Sequence, residues 1–157
     1  NEQIAEAIQK MIKENLNIDV KLLKMPWAQH LEAYETSKSE FWRSGWVADY
    51  PDPENFINLF NGAHIPPKLT DKSYLNSTRY KNAEYDRLYQ EAQKTVGLAA
   101  RNKLYQKADQ IVTDDAPIIP IYYYKDRRLL QPNIENFPQN SMEYRNLRDV
   151  YFTPKKG

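Results

Sequence analysis

The sequence is short of several residue types that mark common classes of protein. Its 157 residues include no cysteine, four glycines and two histidines. The missing cysteines exclude a disulfide scaffold, a thiol nucleophile and a cysteine-ligated zinc site. A net charge of +1 argues against a protein that binds nucleic acid through general positive charge. No apolar run approaches the roughly 20 residues of a membrane span. Length and composition leave one ordinary domain, or one domain and a piece of another.

Tyrosine is the most abundant aromatic residue. The chain has 12 Tyr against five Phe and three Trp. Such a set suits a surface that is half buried and half in water. The chain begins with Asn1 and enters an amphipathic pattern at once, without a signal peptide or a lipidation motif. We expect it to be a processed chain or a piece of a larger protein.

The periodicity of the first half predicts a helix, a strand, a second helix and a second strand. Helical spacing indicates a helix over about 4–16, which Asn1 would cap. Alternation over 18–22 indicates a strand with one wet face. Pro26 would open the second helix at its first position, and the aromatic-rich run 41–47 would be the second strand. This order implies that the two strands are parallel neighbours joined by a right-handed crossover.

Proline separates the two halves of the chain. Pro51 and Pro53 are incompatible with a regular strand or a helix interior. We therefore expect Asp52 to cap a short helix that Pro53 opens. Residues 61–81 have the composition of a loop, and a loop of that length is often functional or tied to another element.

Two more helices and a buried strand are predicted in the second half. Asn82 would cap the first of these helices, Gly97 would end it, and the other would run over about 99–113. The apolar run 118–124 is typical of a buried strand near a sheet edge. Residues 150–152 predict a terminal strand. The apolar helix faces are Tyr85, Leu88, Tyr89 and Ala92, followed by Leu104, Ala108, Ile111 and Val112.

The densest group of chemically useful side chains lies at the end of the second predicted strand. Asp49, Arg43 and Trp46 offer a carboxylate, a guanidinium and an aromatic ring. Ligands of open α/β sheets bind beyond the carboxyl ends of strands, and this group could hold a zwitterion. Gly45 permits the close approach of another backbone. The alternative interpretation is structural: Trp46 in the core, Asp49 capping a turn, and Arg43 solvated.

Two other function classes use some of the same residues. Asp49, Asp52 and Glu54 would serve a carboxylate-dependent glycoside hydrolase if two carboxyl groups faced each other across a cleft. A helix-capping role for Asp52 would exclude that hypothesis. A carbohydrate-binding module would need coplanar, exposed aromatic rings. Neither His30 nor His64 has metal-site spacing, so no metal is expected, and His30 is expected to be solvated.

The stretch Gly45–Phe56, GWVADYPDPENF, resembles the signature of the extracytoplasmic oligopeptide-binding proteins of ABC importers. This family, bacterial solute-binding protein family 5, includes dipeptide-, oligopeptide- and nickel-binding members. Similar segments are Pro26–Trp27, Tyr80–Asp86, Arg101–Asp109 and Asp115–Tyr124. Their order and spacing match the family over nearly the whole chain.

The resemblance implies an α/β fold with two lobes that close around the ligand like a clamshell. Residues 1–125 would form the second ligand-binding lobe, a type II periplasmic-binding-protein lobe with a mixed sheet flanked by helices. Residues 126–157 would form the hinge and the segment that returns to the first lobe. The N-terminal lobe would lie outside this chain, so we expect the fragment alone to bind ligand weakly or not at all.

The resemblance also implies a ligand site. The implied ligand-binding residues are Arg43, Gly45, Trp46, Val47, Asp49, Tyr50 and Tyr124. Asp49 would pair with the α-ammonium of a peptide, and Arg43 would receive the carboxylate of a short one. Gly45 and Val47 would offer backbone groups to the extended ligand, as in strand addition. Trp46 would line a side-chain pocket, and Tyr124 would lie near the ligand and the hinge.

The implied biology is transport rather than catalysis. A receptor of this kind is not an enzyme and needs no cofactor. Its partners would be a peptide, the missing lobe of the same protein and the transmembrane subunits of an ABC permease. We expect a bacterial periplasmic or otherwise extracytoplasmic location, with a lipoprotein anchor compatible with that location.

Overall fold

The computed structural model describes residues 2–125, 127–140 and 142–154 and is mostly helical. Asn1, the expected cap of the first helix, lies outside the described residues, as does Asp126 at the expected hinge. The elements in chain order are α1 (Glu2–Leu16), α2 (Trp27–Glu35), α3 (Glu54–Ile57), α4 (Ala83–Lys94), α5 (Leu98–Asp115), β1 (Ile134–Glu135) and β2 (Tyr151–Phe152). Two short 3₁₀ turns, Asn58–Phe60 and Gly62–His64, follow α3.

The core is formed mainly by α4 and α5. Asn82 caps α4 as expected, because its side-chain oxygen accepts from the backbone N–H groups of Glu84 and Tyr85 at 3.0 and 3.1 Å. The buried face of α4 is the predicted one: Tyr85, Leu88, Tyr89 and Ala92. Tyr85 is fully buried, and the rings of Phe60 and Tyr80 meet it edge-on at centroid distances of 6.4 and 5.8 Å.

Two details of α5 correct the sequence prediction. Gly97 does not end α4; it precedes α5 as its N-cap residue, with a φ of +97° that favours glycine. The buried residues of α5 are Tyr105, Ala108 and Val112, whereas Leu104 and Ile111 are only partly buried. The inward face of α5 is therefore rotated toward Tyr105, whose ring fills space beside α4.

Helix α3 docks onto this pair and begins where the prolines indicate. The Asp52 Oδ1 atom accepts from the Glu54 backbone N–H at 2.9 Å, which confirms the capping role. Asp52 also forms an ion pair with Arg101 of α5. Ile57 belongs to the core cluster, and its carbonyl accepts a hydrogen bond from the Tyr85 hydroxyl. Both ends of this short helix are thus fixed to α4 and α5.

The N-terminal helices are less buried than this core. Helix α1 covers the predicted range but buries no residue, and Met11 and Leu16 remain exposed. Pro26 stands one residue before α2, as its N-cap. In the described part of the chain, no helix combines the length and the apolar character needed to cross a membrane.

The described residues do not form the expected mixed sheet. The predicted strands over 18–22, 41–47 and 118–124 have no regular secondary structure, and no parallel pair joins the first two within the described ranges. The run 118–124 is not buried either: Tyr123 is 95% exposed. A strand needs a neighbour to accept its backbone hydrogen bonds, and no other described segment pairs with these three.

The sheet that does form is small. β1 and β2 pair antiparallel, with Ile134 opposite Phe152 and Glu135 opposite Tyr151. The prediction of a terminal strand over 150–152 is therefore confirmed for Tyr151–Phe152. The Thr153 backbone N–H extends the pairing by donating to the Asn133 carbonyl at 2.9 Å.

The expected loop over 61–81 is held by buried polar side chains. Asn76 is fully buried and donates to the carbonyls of Asn61 and Tyr80 at 3.1 and 2.8 Å. The Arg79 guanidinium donates to the carbonyls of Glu35, Leu69 and Asp71. These bonds replace a backbone ladder, so the loop keeps a defined course without regular structure.

The hydroxyl of Tyr85 is expected to contribute measurably to stability. Tyr85→Phe keeps the ring but removes the hydroxyl that donates to the Ile57 carbonyl, which should lower the free energy of unfolding by about 1 kcal/mol. Urea unfolding followed by circular dichroism measures the change. The matched control is Tyr144→Phe at an exposed ring, which should shift stability by about 0.5 kcal/mol or less. Equal values for both variants would mean that the buried hydrogen bond makes no net contribution.

Candidate functional site

All the residues singled out from the sequence except Tyr124 lie on the segment that leads from Trp42 to α3. Gly45, Val47, Asp49 and Tyr50 are exposed, whereas Arg43 and Trp46 are partly buried. Val47 is 80% exposed, and a Cβ added at Gly45 would meet no atom within 4 Å. The segment therefore presents open backbone on one side. We call residues 45–50 the site loop.

Asn55 of α3 supports the site loop from behind. It is only 5% exposed, and its side-chain oxygen accepts two hydrogen bonds. One comes from the Trp46 indole N–H at 2.7 Å and the other from the Asp49 backbone N–H at 3.2 Å. Sequence reasoning gave Asn55 no role. Its role depends on contacts with Trp46 and Asp49, which no local sequence pattern reveals.

The Trp46 side chain packs between α3 and the long loop 61–81. Its ring lies edge-on to Tyr74, with centroids 6.0 Å apart. The indole N–H points to Asn55, so the polar edge of the ring faces the protein. Trp46 therefore combines the two interpretations drawn from the sequence: it packs on the scaffold and still borders the open side of the site loop.

Arg43 connects the site loop to two distant segments. Its guanidinium donates to the Tyr122 hydroxyl at 3.1 Å. Its backbone carbonyl lies 2.9 Å from the His30 Nε2 atom of α2, so the His30 tautomer that fits carries its proton on Nε2. The expectation of a solvated His30 is therefore wrong: the ring is partly buried and holds the segment that carries Arg43.

The tyrosine run 122–124 meets the site through Tyr122 rather than Tyr124. The Tyr122 hydroxyl accepts the Arg43 hydrogen bond, and the Tyr124 ring is tilted against Tyr122 at a centroid distance of 5.7 Å. Tyr124 itself is 79% exposed. The sequence prediction named Tyr124, which remains a prediction, and did not name Tyr122, because no local signal in the tyrosine run reveals a contact with Arg43.

Tyr50 and Tyr89 share one carboxylate. The hydroxyl of Tyr50 donates to one oxygen of Glu54, and that of Tyr89 donates to the other. The hydrogen bond to Glu54 raises the pKa of Tyr50. Burial and then the same carboxylate raise the pKa of Tyr89. Glu54 thereby links the exposed end of the site loop to the inner face of α4.

These contacts remove the hydrolase hypothesis. Asp52 caps α3 and pairs with Arg101, and both oxygens of Glu54 accept tyrosine hydroxyls. Neither carboxylate is left free to face Asp49 across a cleft. The described residues also contain no cluster of three or more His, Asp or Glu side chains suited to a metal ion.

The aromatic rings do not form a sugar-binding platform. The near-parallel pair in the described structure is Tyr34 with Trp42, with planes 2° apart and centroids at 5.8 Å. Tyr34 is buried, so this pair is a packing contact and not an exposed platform. What the site loop does offer is an exposed carboxylate at Asp49 beside open backbone, with a guanidinium at Arg43 earlier in the same segment.

Comparison with known proteins places this geometry in context. Residues 1–65 match the family described as bacterial extracellular solute-binding proteins, family 5, middle region. The periplasmic murein peptide-binding protein MppA of Escherichia coli K12 is 33% identical over 91% of this chain and 25% of MppA. The dipeptide-binding protein DppE of Bacillus subtilis 168 is 32% identical over 94% of this chain and 26% of DppE.

The relatives do not all carry a peptide-binding name. The probable deoxycholate-binding periplasmic protein YgiS of Escherichia coli K12 is 33% identical over 96% of this chain and 27% of YgiS. The chain spans about a quarter of the length of these curated relatives. The unliganded open form of MppA matches the fold with a TM-score of 0.78 at 31% identity, over 96% of this chain and 28% of that structure.

The tyrosines around Glu54 and α4 are expected to make the protein sensitive to alkaline pH. Their folded pKa values lie above the ordinary 10, with Tyr80 at about 12 because of burial and its hydrogen bond to Asp115. A tyrosine whose pKa is raised by folding stabilises the folded state fully below pH 10. This stabilisation is lost as the pH rises through the folded pKa. We expect tyrosinate absorbance to appear in two phases, the later one together with loss of helical circular dichroism.

Glu54→Gln tests the source of part of this shift. Removing the negative charge should move the titration of Tyr50 and Tyr89 to lower pH, because the phenolates would no longer face a carboxylate. The matched control, Glu6→Gln on the exposed side of α1, should leave the absorbance curve unchanged. A curve that is the same in all three proteins would contradict the role assigned to Glu54.

Proposed function

Because this chain belongs to family 5 of the bacterial extracellular solute-binding proteins, we propose that it is part of a receptor that captures extracytoplasmic peptides for an ABC importer. The supporting observation is the exposed Asp49 carboxylate, held beside open backbone at Gly45 and Val47. A peptide N-terminus carries the complementary ammonium, and its extended backbone suits the open edge.

The family consists of binding proteins, which confirms the expectation that the chain is not an enzyme. Its description as extracellular likewise confirms the expectation of an extracytoplasmic location. Delivery of the solute to transmembrane permease subunits, and a lipid anchor on the complete protein, remain part of the proposal. Both statements concern a complete protein, because this chain spans only about a quarter of the length of its curated relatives.

The proposed division of the chain follows from its exposed apolar segments. Residues 1–125 would form the second lobe, and residues 126–157 the hinge and the segment returning to the first lobe. The segments 18–22 and 118–124 would pair with strands supplied from outside this chain to complete a mixed sheet. Their exposed side chains support this assignment, because large apolar groups left in water favour burial against a partner.

Within the site, each residue has a proposed role. Asp49 binds the ligand ammonium, and Arg43, steadied by the Tyr122 hydroxyl, binds a ligand carboxylate. Gly45 and Val47 pair with the ligand backbone through their own N–H and C=O groups. Trp46 borders a side-chain pocket, while Tyr50 and Tyr124 lie near the ligand.

A second candidate ligand class is an anionic solute without an ammonium group. The relative YgiS, named as a probable deoxycholate-binding protein, supports it at an identity similar to that of MppA. Such a solute could use Arg43 but would have no partner for Asp49. The two candidates therefore differ in whether Asp49 contributes to affinity.

The decisive measurement is the binding of peptides with and without a free amino terminus. The complete protein should bind members of a tripeptide library, and N-acetylation of the same library should weaken binding by roughly 30-fold while leaving a measurable affinity. Asp49→Asn should weaken the binding of a free tripeptide by about 2–5 kcal/mol, roughly 30-fold or more, because the ammonium loses its charged partner. Isothermal titration calorimetry with the tightest tripeptide measures the effect.

Asp114→Asn on the exposed end of α5 is the matched control and should bind as the parent protein does. Retention of N-acetylated peptides at full affinity would remove Asp49 from the site. Binding of deoxycholate, with no tripeptide bound, would favour the second ligand class.

A further inference from the structure

The Asn55 side chain occupies an unusual place behind the site loop. Its oxygen accepts from the Trp46 indole and from the Asp49 backbone N–H, so both lone-pair positions of that oxygen are used. Both partners are donors that cannot accept, which fixes the orientation of the amide: the oxygen must face the loop. Asn55 is also nearly fully buried, so bulk water is poorly placed to replace it.

The two donors bracket the part of the site loop that faces outward. Trp46 and Asp49 stand on either side of Val47, which is 80% exposed. Both donors bond to the same Asn55 oxygen on the inner side of the loop. The Asp49 carboxylate and the Val47 backbone therefore remain on the solvent side. A single amide oxygen therefore sets the local geometry of the proposed ammonium site.

Asn55 can do this because its own position is fixed. Helix α3 begins at the Asp52 cap, and Asp52 is paired with Arg101 of α5. At its other end the Ile57 carbonyl accepts from the buried Tyr85 hydroxyl. The neighbouring Glu54 accepts from Tyr89 of α4. The core thus determines where α3 lies, and α3 determines where the oxygen of Asn55 lies.

We infer that Asn55 is the positioning residue of the ligand site, which holds Asp49 in place for the ligand's ammonium without touching the ligand. This inference rests on the proposed function. It predicts that losing the amide oxygen harms ammonium recognition specifically, because the carboxylate remains but its backbone is no longer anchored.

The test compares two substitutions of similar size in the complete protein. Asn55→Leu removes the acceptor, and Asn55→Asp keeps an oxygen in the same place. The tightest tripeptide from the library and its N-acetylated form are titrated against each variant by calorimetry. We expect Asn55→Leu to weaken the free tripeptide by about tenfold or more and the acetylated form by no more than about twofold. Asn55→Asp should bind the free tripeptide within about threefold of the parent or more tightly, since it retains the acceptor.

A buried amide elsewhere controls for general destabilisation. Asn61→Leu removes a 7% exposed amide that caps the Gly62–His64 turn. This variant should lower the melting temperature but leave the ratio of free to acetylated affinity unchanged. A loss in Asn55→Leu that is equal for both peptides, or no loss at all, would overturn the inference. A parent protein that binds no tripeptide would instead overturn the proposed function.

A second readout needs no ligand. Hydrogen exchange of the Asp49 amide should be at least about tenfold faster in Asn55→Leu than in the parent, because its acceptor is gone. The Asp71 amide, which donates to the Lys68 carbonyl at 3.1 Å, should exchange equally in both. An unchanged Asp49 rate would contradict the anchoring role whatever the ligand. Should Asn55→Leu fail to fold, Asn55→Ala gives the same comparison.

Discussion

The packing of Tyr85 between α4, α5 and α3 is the constraint on which the rest of the described structure depends. Its ring is fully buried, and its hydroxyl satisfies the Ile57 carbonyl at the end of α3. A short helix has little stability of its own, since helical hydrogen bonds repay the cost of ordering only over longer stretches. Helix α3 therefore exists because the core and the Asp52 cap hold it, and the site loop takes its course from α3.

Two adjacent polar residues of α3 hold different parts of the site loop. Glu54 binds the tyrosine at the far end of the loop and a tyrosine of the core, whereas Asn55 binds the middle of the loop. A charged and a neutral acceptor therefore stand side by side where the chain passes from the core to the exposed edge. Buried polar groups with satisfied partners fix one geometry, because any other leaves a donor unpaired.

Local signals in the sequence were sufficient to locate the helices and insufficient for the strands expected over 18–22, 41–47 and 118–124. The Asn82 cap, the tyrosine face of α4 and the Asp52-Pro53 helix start depend on near neighbours in the chain, and the structure shows all three. The runs 41–47 and 118–124 have strand-like composition, but pairing needs a partner that these residues do not find. Asn55 and Tyr122 were missed for a related reason: their roles arise from contacts with Trp46, Asp49 and Arg43, which spacing does not reveal.

The separation of the supporting bonds from the exposed surface makes the site loop a favourable place for redesign. The anchoring bonds use the Trp46 ring nitrogen and a main-chain N–H, so they do not depend on what side chain stands at position 47. Val47 projects outward. A library randomised at this position would vary the surface that the proposed site shows to a solute while the frame beneath it stayed intact.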